Sequence, residues 1–553
     1  MSKQSFLRGA AILGAAGIVV KVLGAIYQIP FMAMIGADGS ACYSPAYYIY
    51  TILVTVATSG IPVAISRMVS ERTIVQNYEG AHRVFRMSLR LMLGIGIVSF
   101  LVMFFGADLI ATHVSKVPKS ALAMQTIAPA LLLVPVMASF RGYYQGQQNM
   151  KPTALSQVIE QVFRVVFGLL TAYVLYNGII GLFSSHEPGE RGAAGGAFGA
   201  TAGAVGGLAV MLLVYVLSRR SRRRHIAASK NVEEESNGDI LRTMLLISIP
   251  ITIGACIAPI MSYLDTPIVI SRLTATGWAR QTAENMYGQI SGYVMPLVNL
   301  PQAISMALSM SLVPLISSAH RIHDTANMRR NTSLAVRVAV MVGMPCAAGM
   351  AVLACPILLL LYSSHASEAI HVAPTFALYA ASILFIAVVQ TVSGILQGIN
   401  KQMIPVRNML IGIVIKIVTT AILVGIPSLN IKGAGIGTLI TYIVVAGMDV
   451  YAACKYTGTR LNPVLAFARP AAATGVMAGV AALCYYVIFH QAPTAIGTTP
   501  KIACLAAILI AGIVYIIMLF VTRSIKPEEL KRLRGGERLL RVLTRMRIVK
   551  DED

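Results

Sequence analysis

Long apolar runs nearly free of charge recur along the whole chain, and no other feature limits its fold so severely. Leu91–Phe105, Ala128–Phe140, Ala204–Leu217, Val338–Leu361 and Ile502–Val521 are examples. A helix rising ~1.5 Å per residue needs about 20 such residues to cross the hydrocarbon core of a bilayer. A chain of 553 residues, 56% hydrophobic and 12% charged with a mean hydropathy of +0.72, takes lipid as its solvent. Lys3 and Arg8 precede the first apolar stretch as in a secretory signal. That stretch continues to about Ile35 and more spans follow it, which marks a retained first helix.

Apolar runs and their polar punctuation predict an all-α polytopic protein of about fourteen transmembrane helices. They fall at 7–35, 44–66, 88–112, 120–141, 153–176, 193–218, 243–271, 286–316, 334–362, 371–398, 403–425, 433–454, 468–490 and 502–522. With the N-terminus inside, 35 of the 45 Lys and Arg residues lie on cytoplasmic segments and adjoining helix ends, and 7 on outer loops. Cytoplasmic loops carry this excess in multi-pass proteins. The chain is therefore expected in the bacterial cytoplasmic membrane with both termini in the cytoplasm. Its net charge of +23 is spread along one membrane face, which argues against nucleic acid as a partner. Arg219, Arg220, Arg222, Arg223 and Arg224 form the densest cluster, read either as contact with anionic head groups or as an orientation signal alone. After Arg523 the tail interleaves Leu530, Leu533, Leu539, Leu540 and Leu543 with Lys and Arg, a pattern suited to a helix on the membrane surface.

Three landmarks recur in order. Pro62-Val63-Ala64-Ile65-Ser66 matches Pro301-Gln302-Ala303-Ile304-Ser305, Gln145-Gly146 matches Gln397-Gly398, and Gly196-Ala197 with Thr201 matches Gly433-Ala434 with Thr438. The repeat unit is six helices, an even number, so two lobes related by an axis along the membrane normal are expected. The resulting division is an N-lobe at 1–218, a basic linker at 219–242, a C-lobe at 243–456, a helix pair at 457–522 and a basic tail at 523–553. Gly195, Gly199, Gly203 and Gly207 recur every fourth residue and predict close helix packing.

Ionisable residues within spans are costly, about 2.5–3.5 kcal/mol on insertion scales, and mark partners or watery cavities. Lys21, Glu160, Arg164, Asp265 and Lys416 are of this kind, with Arg272 at the outer end of the seventh helix. The offset relating Gln145 to Gln397 also relates Arg164 to Lys416, so the repeat would set two cations facing a central cavity. Alternatively Glu160 and Arg164, at i and i+4, neutralise each other; Lys416 has no acidic residue within a turn or two. Arg67 is a further substrate-binding candidate. For Arg67 and Arg141, near helix ends, snorkelling to the interface is the competing reading. Asp265, between Pro259 and Pro267, is a candidate for charge pairing or ion coupling, as is Glu160. Asp108 and Asp449 stand near helix ends and suggest no special role.

A cationic cavity between helix bundles suits a bulky anion such as a pyrophosphate. Seven scattered cysteines without a CxxC, and His320 and His323 without companions, predict no disulfide framework and no metal site. No GxxxxGK[ST] loop is present. No cofactor is expected, and energy would come from an ion gradient, a monovalent cation or the membrane potential. A membrane enzyme would need a catalytic cluster in a sizeable outer loop. The outer loops are short, which favours a transporter.

Lys21-Val22-Leu23-Gly24, Ile35-Gly36-Ala37, Gly60 to Arg67 and Gln145-Gly146 resemble the polysaccharide-flippase branch of the multidrug/oligosaccharidyl-lipid/polysaccharide exporter superfamily. Within it the chain is most similar to the stage V sporulation protein B group and the MurJ-like lipid II flippases. The resemblance implies two six-helix lobes, alternating access, a cationic cavity for the pyrophosphate and an added helix pair forming a groove for the polyprenyl tail. Lys21 stands where those flippases place an arginine, whereas two further arginines correspond to Tyr27 and a position near Pro296. Arg67, Arg164, Arg272 or Lys416 would then supply the charge. The implied function is flipping of lipid II, or of another polyprenyl-linked saccharide, by a monomer. A cation-coupled multidrug antiporter of the same fold is the main rival.

Overall fold

A computed structural model describes residues 3–229 and 235–524. The expected surface helix of the tail, and residues 230–234 of the basic linker, lie outside the described residues. The chain forms two compact units, Met1–Gly292 and Tyr293–Asp553, with no strand among the described residues.

The first unit runs through α1 (Lys3–Thr58), α2 (Gly60–Ile74), α3 (Tyr78–Phe105), the single turn α4 (Ala107–Leu109), α5 (Ala121–Ile127), α6 (Ala130–Gly146), α7 (Lys151–Tyr176), α8 (Pro188–Leu217), α9 (Arg219–Ala227), α10 (Asn237–Ala275) and α11 (Arg280–Gln289). Within α1 the torsions of Gly36, φ 66 and ψ −169, lie in a region that favours glycine. There the helix folds back on itself. The rings of Phe31 and Tyr43 meet edge to face across the bend with centroids 4.9 Å apart, although a straight helix would hold residues so spaced ~18 Å apart. Small residues pack around the vertex: a methyl group on Gly39, Gly192 or Gly288 would collide with Ile35, Ile35 or Ala37 respectively. Helix α10, which follows the basic linker, packs on α1 and α2.

The second unit comprises α12 (Met295–Arg321), α13 (Thr325–Val352), α14 (Ala354–Leu361), α15 (Ala366–Gly398), α16 (Met403–Val424), α17 (Lys432–Thr457), α18 (Arg469–Ala482) and α19 (Thr498–Val521). Its centre is α15, whose Val388, Val392, Ile395 and Leu396 are buried in one cluster with Ala335, Val336, Ala339 and Val340 of α13 and Val445 and Ala453 of α17. Helices α18 and α19 dock on α13 and α14 through Met477, Ala481, Ala507 and Ala511. Two tyrosines fasten them. Tyr515 donates to the Met341 carbonyl at 2.7 Å and Tyr486 to the Val352 carbonyl at 3.2 Å.

Eleven helical runs among the described residues are long and apolar enough to cross a membrane, or twelve if the pair Pro118–Ile127 and Ala130–Gly146, bent by 42°, makes one span. This multi-pass membrane architecture agrees with the sequence reading, but the expected count of fourteen is not reproduced. Ile12–Ile74 is one run even though it doubles back at Gly36. Large apolar side chains such as Phe105 and Leu217 are 74% exposed, an arrangement suited to lipid and unsuited to water.

The same close approaches occur in both units. A methyl group on Gly142 would stand 2.9 Å from the Pro62 carbonyl oxygen, and one on Gly394 2.9 Å from that of Ser309. One on Gly195 would meet Thr171 C and Ala172 N at 2.6 Å, and one on Gly433 would meet Leu423 C and Val424 N at 2.5 Å. A methyl group on Gly199 or Gly437 would stand 3.1 Å from the amide nitrogen of Gly168 or Thr420 respectively. Pro62 therefore corresponds to Ser309 and not to Pro301, and Gly195, not Gly196, corresponds to Gly433. The Gln145–Gln397 landmark keeps its register, since Gly146 and Gly398 both follow it onto equivalent β-branched side chains, Val69 and Ile316.

Candidate functional site

In the first unit, the glycine face of α8 lets α7 approach so closely that Gly199 and Gly203 abut the carbonyl oxygens of Arg164 and Glu160. That contact fixes the backbone carrying both side chains. Arg141, from α6, completes a cluster of two cations and one carboxylate. Its Nη2 donates to Glu160 Oε2 at 2.8 Å and its Nε to Ser156 Oγ at 2.9 Å. Ser156 in turn donates to the Thr153 carbonyl, so Arg141 is held at both ends of its guanidinium.

Arg164 is held less firmly. Its Nη2 lies 3.6 Å from Glu160 Oε1, too far for a good hydrogen bond. Its buried Nε has no hydrogen-bond partner among the described residues. Tyr43, Tyr47 and Tyr50 are near enough to act on its charge. These tyrosines lie on the part of α1 beyond the Gly36 bend, and Tyr27 and Phe31 stack before it, their ring centroids 5.2 Å apart. Tyr43 and Tyr47 stack at 5.5 Å. All three charged side chains are between 15% and 18% exposed, and a buried charge is costly unless paired and hydrogen-bonded. One carboxylate cannot neutralise two guanidiniums. The cluster keeps one positive charge, with donors of Arg164 to spare, beside neutral hydroxyls that can donate or accept.

The structure thus unites Glu160 and Arg164, as their spacing predicted, but gives Glu160's short bond to Arg141. Lys21 is exposed on α1. Arg67 is exposed on α2 and paired with Glu71 at 2.9 Å, a solvated i,i+4 pair. Arg272 is exposed at the end of α10. Asp265 is buried in α10, near enough to Tyr48 to act on it electrostatically. Lys416 belongs to the second unit. It is 4% exposed and shares one buried face of α16 with Asn408, Gly412, Thr420 and Val424. Asp449, which suggested no role in the sequence, is wholly buried on α17 and accepts from Asn408 Nδ2 at 2.8 Å. Arg337, also overlooked, is 5% exposed on α13. The dense tyrosines from Tyr43 to Tyr50 were the visible signal for the aromatic wall.

Residues 6–320 match the family model described as Polysaccharide biosynthesis protein, and residues 290–422 the one described as MatE. Stage V sporulation protein B of Bacillus subtilis (strain 168) is 29% identical over 542 residues, 96% of this chain and 98% of that protein. Lipid II flippase MurJ of the same organism is 27% identical over 451 residues, 80% of this chain and 81% of its own. Among solved structures, the inward-facing conformation of a multidrug resistance MATE family transporter of the MOP superfamily is similar with a TM-score of 0.62 at 14% identity. The similarity covers 81% of this chain and 94% of that one. At that identity it is the fold that the two share.

Proposed function

This chain belongs to the polysaccharide biosynthesis protein family, and from that premise we propose that it is a flippase moving a polyprenyl-pyrophosphate-linked saccharide across the bilayer, with lipid II as the cargo for cell-wall synthesis. The observation that carries the reading is the Arg141–Glu160–Arg164 cluster, which holds a surplus positive charge and an unused guanidinium donor deep in a membrane protein. A pyrophosphate supplies the acceptor oxygens such a group lacks, and charge-assisted bonds of this kind are about twice as strong as neutral ones. Lys416, at the position equivalent to Arg164, contributes the second cation as the two lobes alternate access. Lys21 serves the path from within the first span, and Arg67 and Arg272 serve it at its ends. The name of one relative, a lipid II flippase, favours a saccharide carrier over an enzyme.

In this reading the protein acts as a monomer in the cytoplasmic membrane with both termini inside, binds no cofactor or metal, and takes energy from the membrane potential or a monovalent cation. The groove of α18 and α19 receives the polyprenyl tail. Depleting the protein and assaying the inner leaflet tests the assignment. Accumulation of lipid II there is the expected result. Accumulation of a different lipid-linked saccharide would reassign the cargo within the same mechanism. The fold shared with a multidrug transporter, together with the buried carboxylate of Asp265, favours a second reading as a cation-coupled antiporter. No precursor accumulation with altered dye efflux would establish that reading instead.

A further inference from the structure

In the second unit a cleft of about 760 Å3 opens where the start of α13 meets the end of α17. Arg329, Arg330 and Ser333 line it from the first turns of α13, and Gly458, Thr459 and Arg460 from the chain just after α17. Three guanidiniums therefore converge from two separate elements. None of the three makes an ion pair among the described residues. The carboxylate at the start of α13, Asp324, is engaged by the backbone N–H and Nδ2 of Asn327, at 3.0 and 2.6 Å.

Gly458 ends α17 at φ 66, a left-handed conformation that suits glycine. A methyl group there would come within 3.1 Å of Arg329 Nη2 and 3.2 Å of its Nε, so the Arg329 guanidinium lies flat on bare backbone. That seat limits its rotamers before any ligand arrives, and pre-organised groups lose less entropy on binding. Guanidiniums match phosphate oxygens in a fork geometry, and the Ser333 hydroxyl adds a further donor. The cleft is far larger than a metal ion, and cations repel one. It also lies on the ends of α13 and α17 that carry the basic loops of this unit, Arg321 to Arg337 and Lys455 to Arg469.

We propose that this cleft binds a phosphate-bearing anion at the basic membrane face, separately from the Arg164 site and whatever that site carries. The shared chemistry is a phosphate group held by three arginines; its source is either an anionic lipid head group or a soluble phosphate.

The test uses the purified full-length chain in a neutral detergent at constant ionic strength, titrated in parallel with phosphatidylglycerol, phosphatidylcholine and inorganic phosphate while the thermal unfolding midpoint is read. Ligands that bind the folded state raise it. The expected result is an upward shift with at least one of the two anions, none with phosphatidylcholine, and an apparent affinity lower by roughly tenfold or more in R329Q/R330Q/R460Q. A shift with phosphatidylglycerol alone identifies a lipid head group, and a shift with inorganic phosphate as well identifies a general phosphate site. All three side chains are exposed, so the variant should fold, which its unliganded midpoint verifies. Equal responses of wild type and variant, or no response to either anion, would overturn the proposal. The single variant R460Q, with Arg329 and Arg330 intact, should fall between the two.

Discussion

The helix pairs α7–α8 and α16–α17 pack alike and are charged differently. In each, two glycines four residues apart on the second helix, Gly195 and Gly199 or Gly433 and Gly437, abut the same backbone of the first. The contact faces are also in register: Ser156, Glu160, Arg164, Gly168 and Ala172 on α7 correspond to Asn408, Gly412, Lys416, Thr420 and Val424 on α16. The geometry of close approach has been kept where its chemistry has changed. Position 160 holds the carboxylate that two arginines share, and its counterpart 412 is a glycine. Ser156 supports a cation, whereas Asn408 supports a buried carboxylate. The scaffold sets where polar groups can stand inside the membrane, and each unit has filled those stations for itself.

Packing equivalence predicts the largest effects. Gly195→Val and Gly433→Val each drive a side chain into backbone that cannot yield, costing about 3 kcal/mol or more. Both should abolish the monodisperse peak in size-exclusion of solubilised protein. A chain that tolerates one and not the other would break the comparison. Next come Arg164→Ala and Lys416→Ala. Each should lower flipping in reconstituted vesicles by tenfold or more, the worth of a charged hydrogen bond, with the double variant at background and membrane insertion unchanged. Normal rescue of a flippase-depleted strain by the double variant would refute the cationic site.

The equivalent polar positions should differ in degree. Asn408→Ala strands the wholly buried Asp449 and should cost about 2–3 kcal/mol, whereas Ser156→Ala removes one of two supports of Arg141 and should cost about 1 kcal/mol. Denaturant midpoints of the two variants decide this, and equal losses would count against the distinction. The smallest effect concerns the caps of α3 and α13, where Asn77 accepts from the Gly80 N–H and Asp324 from that of Asn327. Hydrogen bonds from Asn327 hold the Asp324 carboxyl below its ordinary range. The folded pKa being depressed, this stabilisation is complete above the unfolded value and is lost as pH falls through the folded one. Hydrogen-exchange protection of the first turn of α13 should therefore drop in acid while that of α3 does not.

Much of this was legible in the sequence, for a reason that differs from place to place. Apolar runs announced the spans because lipid demands them of every helix it surrounds. Glu160 and Arg164 announced themselves by their spacing and Lys416 by its isolation. Arg141's hold on Glu160 was not legible, because it depends on how α6 leans against α7, and helix-end position alone favoured snorkelling. The run of tyrosines from Tyr43 to Tyr50 was visible, but its meeting with Phe31 was not, because rings on either side of Gly36 meet only after the chain folds back. The Pro62–Pro301 match misled because eight residues are little more than two helical turns. Such a slip keeps the same face and so leaves the apolar pattern intact. A rule made for straight helices finds eleven or twelve runs among the described residues, in part because it takes the bent Ile12–Ile74 as one.

The vertex at Gly36 has a mechanical consequence. Two membrane-length segments are joined there by a single residue, so there is no slack between them, and neither can slide lengthwise without dragging the other. Ser40 donates to the Gly36 carbonyl at 2.7 Å, so that carbonyl needs no water. A displacement that begins near Lys21 would therefore reach the arm that carries Tyr43, Tyr47 and Tyr50. The two arms of α1 would then move as one piece, and Arg164 lies beside the second of them.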